Sequence, residues 1–220
     1  MYDARSMLTG RRALAVVALL GALLLVAGCH RRELGGTLAK IQARGEITWG
    51  ADLQGGEPYL WLDDGGRLVG FEVDVMDAVA RRLGVKARMT HYNWVNLVPL
   101  LKRGDFDVVC NGLEATPDRA VSILLSRPYF VYAETLAVRS GGPYKSLADL
   151  KGKKVATLDQ TYALDVLKQA GVEIALYEDN QVIYDDLALG RVDAVLLDNV
   201  IADRYGCDRA GITCLPEDVA

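Results

Sequence analysis

The stretch NGLEATPDR, residues 111–119, places a carboxylate, Glu114, and a guanidinium, Arg119, beside a helix start. Thr116 suits the N-cap, Pro117 the first helical position, and Asp118 and Arg119 the first turn. A cation there is disfavoured by about 0.3–1 kcal/mol, because the positive end of the helix dipole repels it. The helix end and the guanidinium nevertheless attract the same anion, so an anion held by both offsets the repulsion. Asp198 ends the apolar run VDAVLL and precedes NVIADRY, which is the place of an N-cap. A carboxylate has two oxygens, so capping leaves one for a second partner. The two histidines, His30 and His91, stand alone, and no His/Cys cluster has metal-ligand spacing, so neither a metal nor a cofactor is implied.

These side chains are positioned by alternating strands and helices. TLAKIQARGE reads as a short helix ending at Gly45, and ITWGA as the first strand. FEVDVMDAVARRLG places Val73, Met76, Val79, Ala80 and Leu83 on one helical face and stops at Gly84. VKARMTHY, VNLVPLLKRG and FDVVC follow as strand, helix and strand, a βαβαβ unit with a parallel sheet. After AETLAVRS, a strand-like connector at about residues 133–140, a second series runs through KVATL, YALDVLKQAG, EIALY, NQVIYDDLALG, VDAVLLD and NVIADRYG. Two α/β lobes joined by a crossover are expected.

Residues 1–28 read as an export signal: MYDARSMLTGRR, then an apolar run from Ala13 to Gly28, directly before Cys29. The end VAGC resembles the bacterial lipoprotein cleavage box, which implies lipidation of Cys29 and a soluble body tethered outside the cytoplasm. Removing residues 1–28 takes away three Arg and one Asp, leaving 22 basic and 28 acidic residues and a net charge of −6. That balance excludes a nucleic-acid binder. Cys110 closes an apolar strand and reads as a small buried hydrophobe. Cys207 and Cys214, in the loop-like CDRAGITC of an exported protein, suit a local disulfide, with two unrelated thiols as the alternative.

GRLVGFEVDVMDAVARRLG, WVNLVPLLKRGDFDVVCNGLEATPDR, SRPYF, SLADLKGKKVA and GRVDAVLLD, in this order, resemble the extracellular solute-binding proteins of family 3 from about Thr37 to Val200. The resemblance implies a two-lobed periplasmic binding protein-like fold of type II, closing at a hinge over an amino acid for an ABC permease. It gives a signal peptide at 1–28, a tether and first helix at 29–44, lobe 1 at 45–138 and lobe 2 at 139–220. The family's C-terminal return segment, which completes lobe 1, is expected to be missing after CLPEDVA.

An α-amino acid presents a carboxylate and an ammonium, and the resemblance assigns Arg119 to the first and Asp198 to the second. A guanidinium can hold both carboxylate oxygens, which lysine cannot. Trp94 matches the aromatic that stacks on the ligand, although Trp94, Leu97, Val98 and Leu101 share a helical spacing that equally suits a core tryptophan. Gly112 and Leu113 are expected to offer backbone groups, and Asp52 to point into the cleft. Glu114 departs from the family's Ser or Thr. In DQTYA, Thr161 keeps a hydroxyl, while Gln160 and Tyr162 replace small residues. Asp52, Glu114 and Asp198 against Arg119 favour a basic amino acid. A monomeric, non-catalytic receptor is the expectation. The alternatives are a periplasmic cyclohexadienyl-type dehydratase, with Glu114 as general acid, and a ligand-sensing domain.

Overall fold

The apolar run EITWGA becomes the central strand of the first sheet because its residues from Ile47 onward are buried on both faces. The structure, a computed structural model, describes residues 36–219, so the signal segment and Cys29 lie outside the described residues. Helix α1 (Thr37–Arg44) opens the described chain. The described residues from 44 onward form one compact unit, built on two main sheets.

Lobe 1 comprises β1 (Glu46–Ala51), a small hairpin of β2 (Trp61–Leu62) and β3 (Leu68–Val69), α2 (Phe71–Leu83), β4 (Lys86–His91), α3 (Leu97–Arg103) and β5 (Val108–Val109). Its sheet has the order β4-β1-β5 with every pair parallel. Helix α2 ends as its sequence suggests, at a left-handed Gly84 whose N–H returns to the carbonyls of Ala80 and Arg81. Its buried face differs from the expected one: Glu72, Met76 and Ala80 point inward, and Val79 is exposed. The helix is turned so that Glu72 Oε1 accepts hydrogen bonds from the Gly112 N–H (2.6 Å) and the Tyr129 hydroxyl. The segment from Trp94 to Asn96 is a single tight turn, and α3 starts only at the fully buried Leu97. Trp94 is thereby released from the helical spacing that suggested a core role.

The chain crosses through α4 (Pro117–Ser122) into lobe 2. There β6 (Glu134–Arg139), β7 (Lys154–Leu158), α5 (Tyr162–Ala170), β8 (Glu173–Tyr177), α6 (Asn180–Ala188), β9 (Ala194–Asp198), α7 (Asn199–Ala202) and β10 (Ile212–Asp218) follow. The sheet order is β10-β6-β9-β7-β8, with β6 antiparallel to both its neighbours. The connector segment is therefore a strand of the second sheet, which begins at Glu134 rather than at residue 139. Leu136, Val138, Val155, Leu167, Ala194 and Leu196 pack as its core. Strand β10, whose first residues the sequence placed in a loop, is fastened by a disulfide between Cys207 and Cys214, with Cα atoms 5.2 Å apart. Cys110 is a free, buried thiol. No helix among the described residues is long and apolar enough to cross a membrane.

Candidate functional site

In parallel α/β sheets, ligands bind outside the carboxyl ends of the strands. Here the residues that follow β1, β5, β7 and β9 converge on a cleft between the lobes. Asp52, Asn111, Gly112, Glu114, Thr161 and Asp198 line it, with Tyr59, Trp94, Tyr132 and Asn180. Its empty volume, with the open solvent at the mouth included, is about 770 Å³.

Among the described residues, hydrogen bonds join the lobes across this cleft. The Trp94 indole N–H donates to the Asp159 carbonyl at 2.9 Å, and the Asn180 amide to the Gln54 carbonyl at 3.0 Å. Arg119 Nη2 donates to the Gln160 carbonyl at 2.6 Å. The Tyr162 N–H donates to Glu114 Oε1 at 3.0 Å, and the Tyr59 hydroxyl to Asp198 Oδ1 at 3.3 Å. Gln160 presents its carbonyl from a left-handed backbone, φ 57°, a conformation that costs a residue with Cβ roughly 1–2 kcal/mol. A glycine there would avoid that cost.

Arg119 lies in the first turn of α4, as expected, with its N–H capped by Thr116 Oγ1 at 3.3 Å. Its guanidinium does not line the cleft directly. Nη1 donates to the Glu114 carboxylate and, at 2.9 Å, to the Glu114 carbonyl. Cζ sits 5.5 Å from the centre of the Trp94 ring. The anion that relieves the clash between Arg119 and the helix dipole is thus Glu114 itself, and both side chains are only 13% exposed.

Asp198 caps α7 by accepting from the Ile201 N–H at 2.9 Å. Burial, opposed by the hydrogen bonds from Ile201 and Tyr59, pushes its pKa up to about 6. Burial beside Asp198 also holds the Tyr59 hydroxyl well above its usual range. Asp52 lines the cleft, but backbone N–H groups take both its oxygens: Gln54 at 2.9 Å and Trp94 at 2.7 Å. It holds the two loops that carry the cleft wall. Gly112 has both backbone groups engaged, its N–H with Glu72 and its carbonyl with the Tyr132 hydroxyl at 3.2 Å. Leu113 faces a neighbouring groove with Tyr129, Phe130 and Tyr132. Thr161 caps α5, accepting from the Leu164 N–H at 3.3 Å and donating to the Leu158 carbonyl at 2.8 Å.

Tyr59, Tyr132, Asn180 and Asn111 were not read from the sequence. Asn111 stood inside the quoted NGLEATPDR and is 5% exposed, its side-chain oxygen 2.6 Å from the Asp52 nitrogen. Tyr59 and Asn180 reach the cleft through contacts 139 and 126 residues apart in the chain, for which local sequence carries no signal.

A profile of the bacterial extracellular solute-binding proteins, family 3, matches residues 47–170. The chain belongs to that family. A family 3 relative, the L-cystine-binding protein TcyJ of Escherichia coli, is 34% identical over 200 residues, 88% of this chain and 73% of the relative. The lysine/arginine/ornithine-binding periplasmic protein of the same species is 31% identical over 150 residues, covering 66% of this chain and 58% of the relative. A solved ancestral amino acid-binding protein, described as a precursor of cyclohexadienyl dehydratase, superposes with a TM-score of 0.75 at 30% identity. That superposition covers 82% of this chain and 81% of the ancestral one. Two lobes around a cleft are therefore the family 3 fold.

Proposed function

We propose that the chain captures a polar amino acid by closing its lobes and delivers it to an ABC permease. The observation that carries this reading is the arrangement of the cleft: Arg119 and Glu114 in lobe 1 stand with Asp198 in lobe 2, and hydrogen bonds bridge the walls. An incoming α-carboxylate exchanges with the Glu114 carboxylate on Arg119, and the ammonium pairs with Asp198. Glu114, once displaced, needs a new cation. The lining favours one, since besides Asp52 it holds the carboxylates Glu114, Asp159, Glu178 and Asp198 and, among the described residues, no Lys or Arg. A basic amino acid such as arginine, lysine or ornithine offsets Glu114; the lysine/arginine/ornithine-binding relative supports that class, and the cystine-binding one supports an amino acid ligand.

The same reading makes the protein a monomeric receptor held outside the cytoplasm by a lipid on Cys29. A dehydratase reading draws on the ancestral relative; the hydrogen bonds that both Glu114 oxygens accept, from Arg119 and from Tyr162, support the binding reading over it. The test is competition between L-arginine and L-glutamine. Arginine binds more tightly to the native protein, and Glu114→Gln narrows the ratio. Tighter binding of glutamine to the native protein, or an unchanged ratio in the variant, refutes the charge assignment.

A further inference from the structure

Strands β6 and β9 end in opposed acids. Glu134 pairs directly with Asp198 in the antiparallel register, in line with Leu136–Leu196 and Val138–Ala194 on the same face. Side chains so paired have Cβ atoms about 4.5–5.5 Å apart, where like charges repel. The column beneath them is dry core, each member at most 3% exposed. Glu134 itself is 2% exposed, and its Oε2 has no hydrogen-bond partner among the described residues. The charges acting on it are those of Asp198 and of Glu114, from the loop after β5. The hydroxyls of Tyr132, before β6, and Tyr184, on α6, lie within its influence, and Tyr59 is bonded to Asp198. Two carboxyls this close in a buried site do not both stay ionised. In keeping with this, burial, then Asp198, then Glu114 push Glu134 up to about 8.

We infer that Glu134 is a positioning residue for the cation site at Asp198: it holds one proton on behalf of the pair, and an ammonium arriving at Asp198 drives that proton into solvent. This rests on the amino-acid reading above. The step balances as Glu134 carboxylic acid giving Glu134 carboxylate plus a proton taken up by buffer. The ammonium neutralises the field of Asp198, the main charge that kept Glu134 protonated. By linkage, affinity then rises as pH approaches about 8, by at most about tenfold per pH unit.

The experiment has a ligand-free arm and a binding arm. In the first, the ¹³C carboxyl resonances of labelled Glu and Asp are titrated. One Glu signal titrates well above the normal range, vanishes in Glu134→Gln, and moves toward the normal range in Asp198→Asn. In the second, calorimetry with L-arginine and with L-glutamine is run near pH 7.5 in phosphate and in Tris, buffers of different ionisation enthalpy. The native protein releases a fraction of a proton, and Glu134→Gln, which mimics the protonated acid, releases none. Titration of Glu134 in the normal range, or equal release by the native protein and Glu134→Gln, overturns the inference. An absence of binding heat for both amino acids strikes the functional reading instead, and the carboxyl titration then decides the shared proton alone.

Discussion

Replacing Arg119 with Lys keeps the charge and removes the fork. The guanidinium serves Glu114 through Nη1 and Gln160 through Nη2, and it stacks over Trp94. A lysine ammonium can follow the first partner but not also reach across the cleft to the second. Losing a hydrogen bond from a charged donor costs about 1.5–3 kcal/mol. The cation–π contact adds about 0.5–1 kcal/mol at a partly exposed site. The total of about 2–4 kcal/mol falls on the closed, ligand-holding state, so Kd weakens roughly 30- to 1000-fold. Thermal unfolding followed by circular dichroism moves little, because Arg119 packs in the cleft wall and not in either core. Calorimetry with L-arginine and L-glutamine measures the loss. A Kd within threefold of native would show that the two-pronged geometry does not hold the ligand.

Gly112→Ala meets two penalties, a left-handed backbone at φ 58° and a Cβ 3.1 Å from the Tyr59 ring; it lowers the unfolding midpoint by about 1–2 kcal/mol of stability in urea titration. The raised folded-state pKa of Glu134 means the folded protein binds more protons than the unfolded chain between about pH 4.5 and 8. That stabilisation is complete below pH 4.5 and is lost as pH rises through 8, on the order of 5 kcal/mol, whereas Glu134→Gln flattens the profile in urea melts at pH 5, 6.5 and 8. Cys29→Ser releases the protein from the membrane fraction of a bacterial host, as read by fractionation and immunoblotting.

The fold was legible where local chemistry and periodicity agree. Gly84 ends α2 by a left-handed cap, and Thr116 with Pro117 starts α4, both marked in the sequence. Periodicity misled at Val79, because it counts apolar residues and is blind to a carboxylate such as Glu72 that finds buried partners. Trp94, Glu114 and Asp198 line the cleft, but residue type gave no account of who partners whom there. Asp52 was counted as a free charge although two backbone N–H groups consume it. Glu134 was missed altogether, since its importance comes from lying opposite Asp198 in a register set by sheet pairing.

Trp94 gives the protein a built-in optical sensor. The chain has three tryptophans; Trp49 is sealed in the lobe 1 core at 2% exposure, and Trp61 sits in the hairpin, away from the cleft lining. Trp94 alone has its indole N–H tied to a carbonyl of the opposite lobe. Separation of the lobes hands that N–H to water and takes the ring off the wall, which shifts the emission of one fluorophore against two nearly constant ones. Opening and shutting can therefore be followed in unlabelled protein, at rates set by the stopped-flow mixer and not by a dye.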